Sequence, residues 1–337
     1  MKYENSVRAA TRRFLVKGRS AVYHLVSRTS MKQFWLGDEE KEVFVRLMRK
    51  QAAFCGIQVL AYAVMSNHFH ILARVPYETE LSDGELLRRH RLMYGGDRLG
   101  PRAMDPDQLE VLFAEGGEES AFWRERLKAR MGDVSVFMRE LKQRFGIWFN
   151  HRHKNRGSIW SERFRSLIVE DEGKALATVA AYIDLNALRG GLVSDPSEYR
   201  FCSYGAALGG QLEARRGYEG IYRCPFAELL RSYRLCLYGK GYESKGVEGK
   251  DLGRVSAARL DEVIARRGKL ELSEALRCRV RYFTDGMALG SVDFLKDLQI
   301  AHPQWFQGER RGDPAGIKGA DFGELRVMRK LKNGLTA

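Results

Sequence analysis

The chain has 337 residues, 44% hydrophobic and 30% charged, a balance that allows a sizeable folded core and excludes a disordered polymer of one charge sign. Its 57 Lys and Arg against 43 Asp and Glu leave a net charge of +14, which favours polyanionic partners, phosphate backbones before anionic lipid. No apolar run reaches the ~20 residues of a membrane-spanning helix, no secretory signal opens the chain, and the 5 cysteines never form a CxxC pair. The reading is a cytoplasmic protein with no membrane partner and neither a disulfide framework nor a cysteine zinc site.

Residues 19–29 alternate Val22, His24 and Val26 with Tyr23, Leu25 and Ser27, which predicts a strand. A helix follows from Asp38: acidic residues open it, Val43, Phe44, Leu47, Met48 and Phe54 recur at helical spacing, and Gly56 stands at the stop. Two β segments come next, 57–65 and 68–75, separated by Ser66 and Asn67, as in a hairpin or neighbouring ladder strands. From 77 to 120 the text turns to Gly, Asp, Glu and Arg without sustained period, an insertion with one or two short helices. Asp133 then caps a long helix whose face is Val134, Phe137, Met138, Leu141, Phe145 and Trp148. Residues 150–171 are basic and aromatic together, and a second helix runs from Gly173 to Leu188. A composition shift near 210 separates a first domain, 1–210, from a helical C-terminal domain, 211–337. There Gly268 breaks one pattern and Ser291 caps another, with Arg277, Arg279 and Arg281 between them, either a helix-turn-helix DNA reader or an all-α packing module.

His68 and His70 lie two residues apart in a strand, so they share a face while Phe69, Ile71, Ala73 and Val75 take the other. Neutral imidazoles so placed can hold one divalent ion from a rigid sheet, although two histidines at a strand end can also serve only backbone hydrogen bonds. In the helix of residues 173–188, Leu176, Val179, Ala180, Ile183 and Ala187 form a buried stripe. Tyr182, Asn186 and Arg189 follow one another at i, i+4 and i+7 on a different face, pointing away from the core. The amide oxygen of Asn186 would complete a metal site begun by the histidines.

Five stretches carry a resemblance in order: "VYHLVSRTSMKQFW", "AYAVMSNHFHIL", "FNHRHKNRGSIWSERFRS", "AYIDLNALRGGLV" and "EYRFCSYGAAL". Together, over residues 10–210, the sequence resembles the IS200-type tyrosine (Y1) transposases of the HUH superfamily, closest to the REP-associated tyrosine transposases. The resemblance implies an α+β fold, a ferredoxin-like antiparallel sheet with flanking helices. It implies His68 and His70 as the metal-binding pair, Asn186 as third ligand, Tyr182 as nucleophile, and Mg²⁺ or Mn²⁺ as the ion. Ala187 stands where the family commonly has proline after the asparagine, and "FCSY" replaces its Trp-Ser-Ser-Tyr.

The implied reaction is cleavage and rejoining of single-stranded or hairpin DNA through a 5′-phosphotyrosine and a free 3′-OH, by a monomer or homodimer. A phenol of pKa ~10 is a poor nucleophile at neutral pH, so an ion that polarises the phosphate belongs in such a site. Arg152, Lys154, Arg156, Arg163 and Arg165 suit phosphates, Trp160 suits stacking on bases, and Arg189 joins the DNA-binding set. A metal nuclease using water, a non-cleaving nucleic-acid regulator and a purely structural metal site are the alternatives.

Overall fold

A computed structural model describes residues 15–16, 18–77, 80–96, 104–238, 270–305, 313–318, 320–328 and 335–336, with positions 258, 261, 262 and 265 between. The first part of the chain runs β1 (Ala21–Arg28), α1 (Asp38–Cys55), β2 (Gln58–Val64) and β3 (His68–Val75). Helices α2 (Asp83–Tyr94), α3 (Pro106–Glu115) and α4 (Gly117–Lys128) precede α5 (Val134–His153) and β4 (Arg165–Val169). Strand order β2-β3-β1-β4, every neighbour antiparallel, is that of a ferredoxin-like βαββαβ unit. The α+β class predicted from sequence is therefore the observed one.

Local chemistry explains the elements. Three acidic residues occupy the first turn of α1, where the helix dipole favours them, and Gly56 closes it at φ 68, a left-handed position that suits glycine. The Asp133 side chain accepts from the backbone N–H groups of Ser135 and Val136, capping α5 as its sequence predicts. On one sheet face the fully buried Phe69 ring meets Phe44 of α1 and Trp160, and Phe44 in turn meets Phe145 of α5. This is the helix-backed apolar face expected opposite the histidines.

Between β3 and α5 the described residues hold three helices reaching Lys128, more than the one or two short helices expected over 77–120. Capping by Ser82 and by Asp105 starts α2 and α3, signals that a search for period alone passes over.

After β4 come α6 (Gly173–Asp184), α7 (Asn186–Arg189), α8 (Ser203–Leu208), α9 (Leu212–Tyr222) and α10 (Phe226–Tyr238). The single helix predicted over 173–188 is divided at Leu185, whose ψ is 1°. Beyond residue 210 the chain is helical in part and also extends the sheet. β5 (Arg279–Val280) pairs with β9 (Leu335–Thr336), while β6 (Ala288–Gly290) runs parallel to β4 and is followed by β8 (Arg326–Val327) and β7 (Ala315–Gly316). These strands cover the edge that β4 would otherwise expose. They are two or three residues long, too short for a readable alternation. Of the segment read as helix-turn-helix, most of 256–269 lies outside the described residues; Ser291 does cap its helix, accepting from the backbone N–H of Phe294.

Helix α9 docks on β2 at a bulge, where the register slips between Val59 and Ala61. A Cβ on Gly217 would stand 2.4 Å from the Leu60 carbonyl oxygen and 3.0 Å from that of Val59, backbone atoms that cannot swing aside. Gly217→Ala is expected to destabilise the protein by about 2–3 kcal/mol, the usual cost of overpacking, read as a lower urea midpoint at unchanged slope.

Candidate active site around the histidine pair

Register brings the histidines together with residues of three strands. His70 stands opposite Val26 and His68 opposite Arg28 across the β1–β3 ladder, and Arg165 of β4 stands opposite Val26 from the other side. Directly opposed residues share a sheet face, so His24, Arg28, His68, His70 and Arg165 all belong to the surface turned away from α1 and α5.

Helix α6 lies across this face. The Tyr182 ring sits 6.1 Å from that of His70 and 6.2 Å from that of His24, edge to face in both cases. The sequence predicts Tyr182 and Asn186 pointing away from the core, yet they are only 2% and 7% exposed. The face they point to is covered as well: Phe283, from the helix Arg281–Asp285, places its ring 5.1 Å from Tyr182. Asp184, unread in the sequence, pins the same helix. Its buried carboxylate accepts from the Tyr204 backbone N–H at 3.1 Å, the Tyr218 hydroxyl at 2.5 Å and the Tyr233 hydroxyl. Burial pushes the pKa of Asp184 up to about 6 despite these donors.

A chain of hydrogen bonds fixes the state of the histidines. The carbonyl oxygen of Phe283 can only accept, so His24 Nδ1–H donates to it, at 2.9 Å. Burial holds the pKa of His24 down to about 4, so at neutral pH the ring is uncharged and its Nε2 carries a lone pair. That lone pair receives the proton of His70 Nδ1, 2.8 Å away. The Nε2 lone pair of His70 is thereby left unshared.

His68 reaches the same state by another route. The Asn67 amide nitrogen donates to the Lys32 carbonyl at 3.2 Å, which turns its oxygen toward His68 Nδ1 at 2.7 Å. His68 Nδ1 must donate, leaving its Nε2 unprotonated. Burial, then the charge of Arg28, push the pKa of His68 down to about 4, while the Asn186 side chain pulls the other way because it can accept from the protonated ring. The pKa of His70 is also driven well down, by burial and then by its two histidine neighbours. Both rings are therefore neutral with Nε2 unprotonated, the form in which imidazole binds a metal. Asn186 Nδ2 is buried without a partner, consistent with the amide oxygen being the atom turned to His68.

The predicted DNA-binding residues divide. Arg189 stacks its guanidinium 4.0 Å from the Tyr182 ring centroid and donates to the carbonyls of Tyr182 and Leu276, at 2.6 and 2.7 Å, so its bonds lie within the protein. Arg165 stands on the site face, paired with Asp285 and with Glu162. Arg152, Lys154, Arg156 and Arg163 are exposed, and Arg152 is paired with Glu39 of α1. Trp160 is not a free stacking platform: its ring packs on Phe44, Phe69 and Phe145, and its indole N–H donates to the Lys142 carbonyl at 2.9 Å. The sequence reading missed His24, Arg28, Asn67 and Phe283 as parts of the site. The only signal was the strand alternation that sets His24 and Arg28 on one face.

Comparison with known proteins finds similarity in the first part of the chain. Residues 18–84 match the family model described as transposase IS200 like. Among solved structures, a REP-associated tyrosine transposase bound to a REP hairpin is similar at 15% identity, with 60% of this chain and 87% of that chain covered and a TM-score of 0.39. No curated protein matches the chain. Over residues 18–84, the stretch that holds His24, Arg28, His68 and His70, this chain is similar in sequence to the IS200-like transposases.

Proposed function

We propose that this protein is a transposase-type enzyme that cleaves and rejoins single-stranded DNA at hairpin or repeat sequences, with Tyr182 as the nucleophile. The observation that carries the reading is the hydrogen-bond chain that leaves the Nε2 atoms of both His68 and His70 unprotonated on the sheet face under Tyr182. The family match over 18–84 and the charge of +14 support a DNA-processing role.

His68, His70 and Asn186 would hold a divalent ion, Mg²⁺ or Mn²⁺. The donor set fits: two neutral nitrogens, and an amide whose nitrogen has no partner while its oxygen remains to coordinate. Among the described residues no group of three or more His, Cys, Asp or Glu offers another metal site. Once bound, the ion supplies Lewis-acid polarisation of the phosphoryl oxygens and an offset for the charge developing on them.

The remaining steps belong to the chain itself. The Tyr182 oxygen attacks the phosphorus, the bond from phosphorus to the 3′ oxygen breaks, and that oxygen takes up the proton the tyrosine gives up. The products are a 5′-phosphotyrosine and a free 3′-OH. One phosphodiester replaces another, so the reverse attack by a 3′-OH reseals or exchanges strands without a nucleotide cofactor. Arg189 holds the Tyr182 backbone and lies over its ring, and its charge together with that of Arg28 offsets negative charge on the attacking oxygen.

The test is a denaturing gel of the protein with end-labelled single-stranded DNA from the flanks of its own gene, with Mn²⁺ or with excess chelator. A labelled band at the mass of a covalent adduct is expected with the ion and lost on chelation. Cleavage without an adduct would favour a metal nuclease, and binding without cleavage a regulator on the same scaffold.

A further inference from the structure

Four guanidinium groups gather at one end of the site face around the partly buried carboxylate of Asp285, with the exposed Glu162 paired to one of them. Arg165 bonds to Asp285, and Arg279 and Arg281 approach the other oxygen of that carboxylate at 3.9 and 3.6 Å. Arg28 completes the group from β1. It is half-buried and makes no side-chain hydrogen bond or ion pair with a described residue. Its pKa is pulled down by burial and then by the charges of Arg279 and Arg165, with Asp285 and Tyr182 in partial opposition. The Nε of Arg279 is likewise buried without a partner. Four like charges so close, partly withdrawn from water and outnumbering the two carboxylates beside them, are costly unless an anion completes the site.

Position identifies the anion. Arg28 stands opposite His68 in the ladder and Arg165 lies one strand away on the same face. Arg28 also interacts electrostatically with both His68 and Tyr182. Guanidinium groups match phosphate oxygens with parallel N–H donors.

We propose that Arg28, Arg165 and Arg279 form a seat for a DNA backbone phosphate beside Tyr182 and the histidine pair, one strand of which is supplied by the chain beyond residue 210. The assignment rests on the reading of the protein as a single-strand DNA enzyme. It adds Arg28, which the sequence does not single out for DNA, and gives Arg279 a place at the reaction centre in place of a helix-turn-helix reader. Arg279 links β5 to the reaction centre, so the C-terminal part shapes the substrate site as well as the fold.

The experiment compares the full-length protein with Arg28→Gln, Arg279→Gln and Arg28→Lys, using the same flanking oligonucleotide as probe. Binding is measured in chelator over a range of NaCl, and adduct formation in Mn²⁺. Each glutamine variant is expected to flatten the log–log salt dependence by about 0.7, the share of one phosphate contact on a single strand. Each is also expected to slow adduct formation at least several-fold, while Arg28→Lys keeps the wild-type salt slope. Wild-type slopes and adduct rates in both glutamine variants would overturn the seat and leave the tyrosine chemistry standing. A flattened slope in Arg28→Lys as well would mark a packing role and also overturn it. Flattened slopes in the glutamine variants, with no adduct from any protein, would support the seat and reject the transesterification reading.

Discussion

Tyr182→Phe is expected to abolish adduct formation and strand cleavage, by roughly 10⁴-fold or more, the scale on which loss of a nucleophile is felt in covalent catalysis. The substitution removes one oxygen. The ring keeps its edge-to-face contacts with His24, His70 and Phe283, and Arg189 still lies over it. The Tyr182 hydroxyl makes no hydrogen bond with another described residue, so no buried partner is orphaned and the melting temperature should move little. DNA affinity should also survive, because the basic groups on the site face are untouched. A loss in catalysis with fold and binding intact separates a nucleophile from a core residue that happens to be aromatic.

The next largest effect is expected from His24→Phe, which removes the link between the Phe283 carbonyl and His70. His24 touches neither DNA nor ion in this account; it is a positioning residue acting through His70. Without its Nε2, the His70 Nδ1–H has no acceptor and the ring is free to take the other tautomer, with its proton on the atom that should coordinate. Mn²⁺ affinity, followed by the free-ion signal in electron paramagnetic resonance, is expected to fall by about 10–100-fold. His24→Gln, whose amide oxygen can accept in place of the ring nitrogen, should recover part of it. Equal losses in Phe and Gln, tracking a fall in stability, would instead mean that His24 only fills space.

What could be read from the sequence follows from where the signal sits. The histidine pair and the tyrosine helix are local patterns, of period 2 and 3.6, and both fall on the predicted elements. The buttress is not local: His24 lies 46 residues from His70 and 259 from Phe283, and a backbone carbonyl leaves no trace in residue type. Asp184 went unread for the same reason. A carboxylate on a helix ordinarily faces water, and here its partners Tyr218 and Tyr233 come from 34 and 49 residues further on. Trp160 was assigned to base stacking for a different reason, since an aromatic among arginines suits a base as well as a core. The order of layers decided it, because Phe69 draws Trp160 to the face opposite the histidines. Burial of Tyr182 was hidden too, as the Arg281–Asp285 helix that covers it belongs to a stretch whose short strands have no readable period.

The most direct test of the central claim is mass spectrometry of the protein after reaction with single-stranded flanking DNA and Mn²⁺, nuclease trimming and tryptic digestion. The account predicts a nucleotide remnant joined through phosphate to Tyr182 in the peptide Ala175–Arg189. Cleaved DNA carrying free 5′-phosphate, with that peptide unmodified, would contradict it and assign the attack to water.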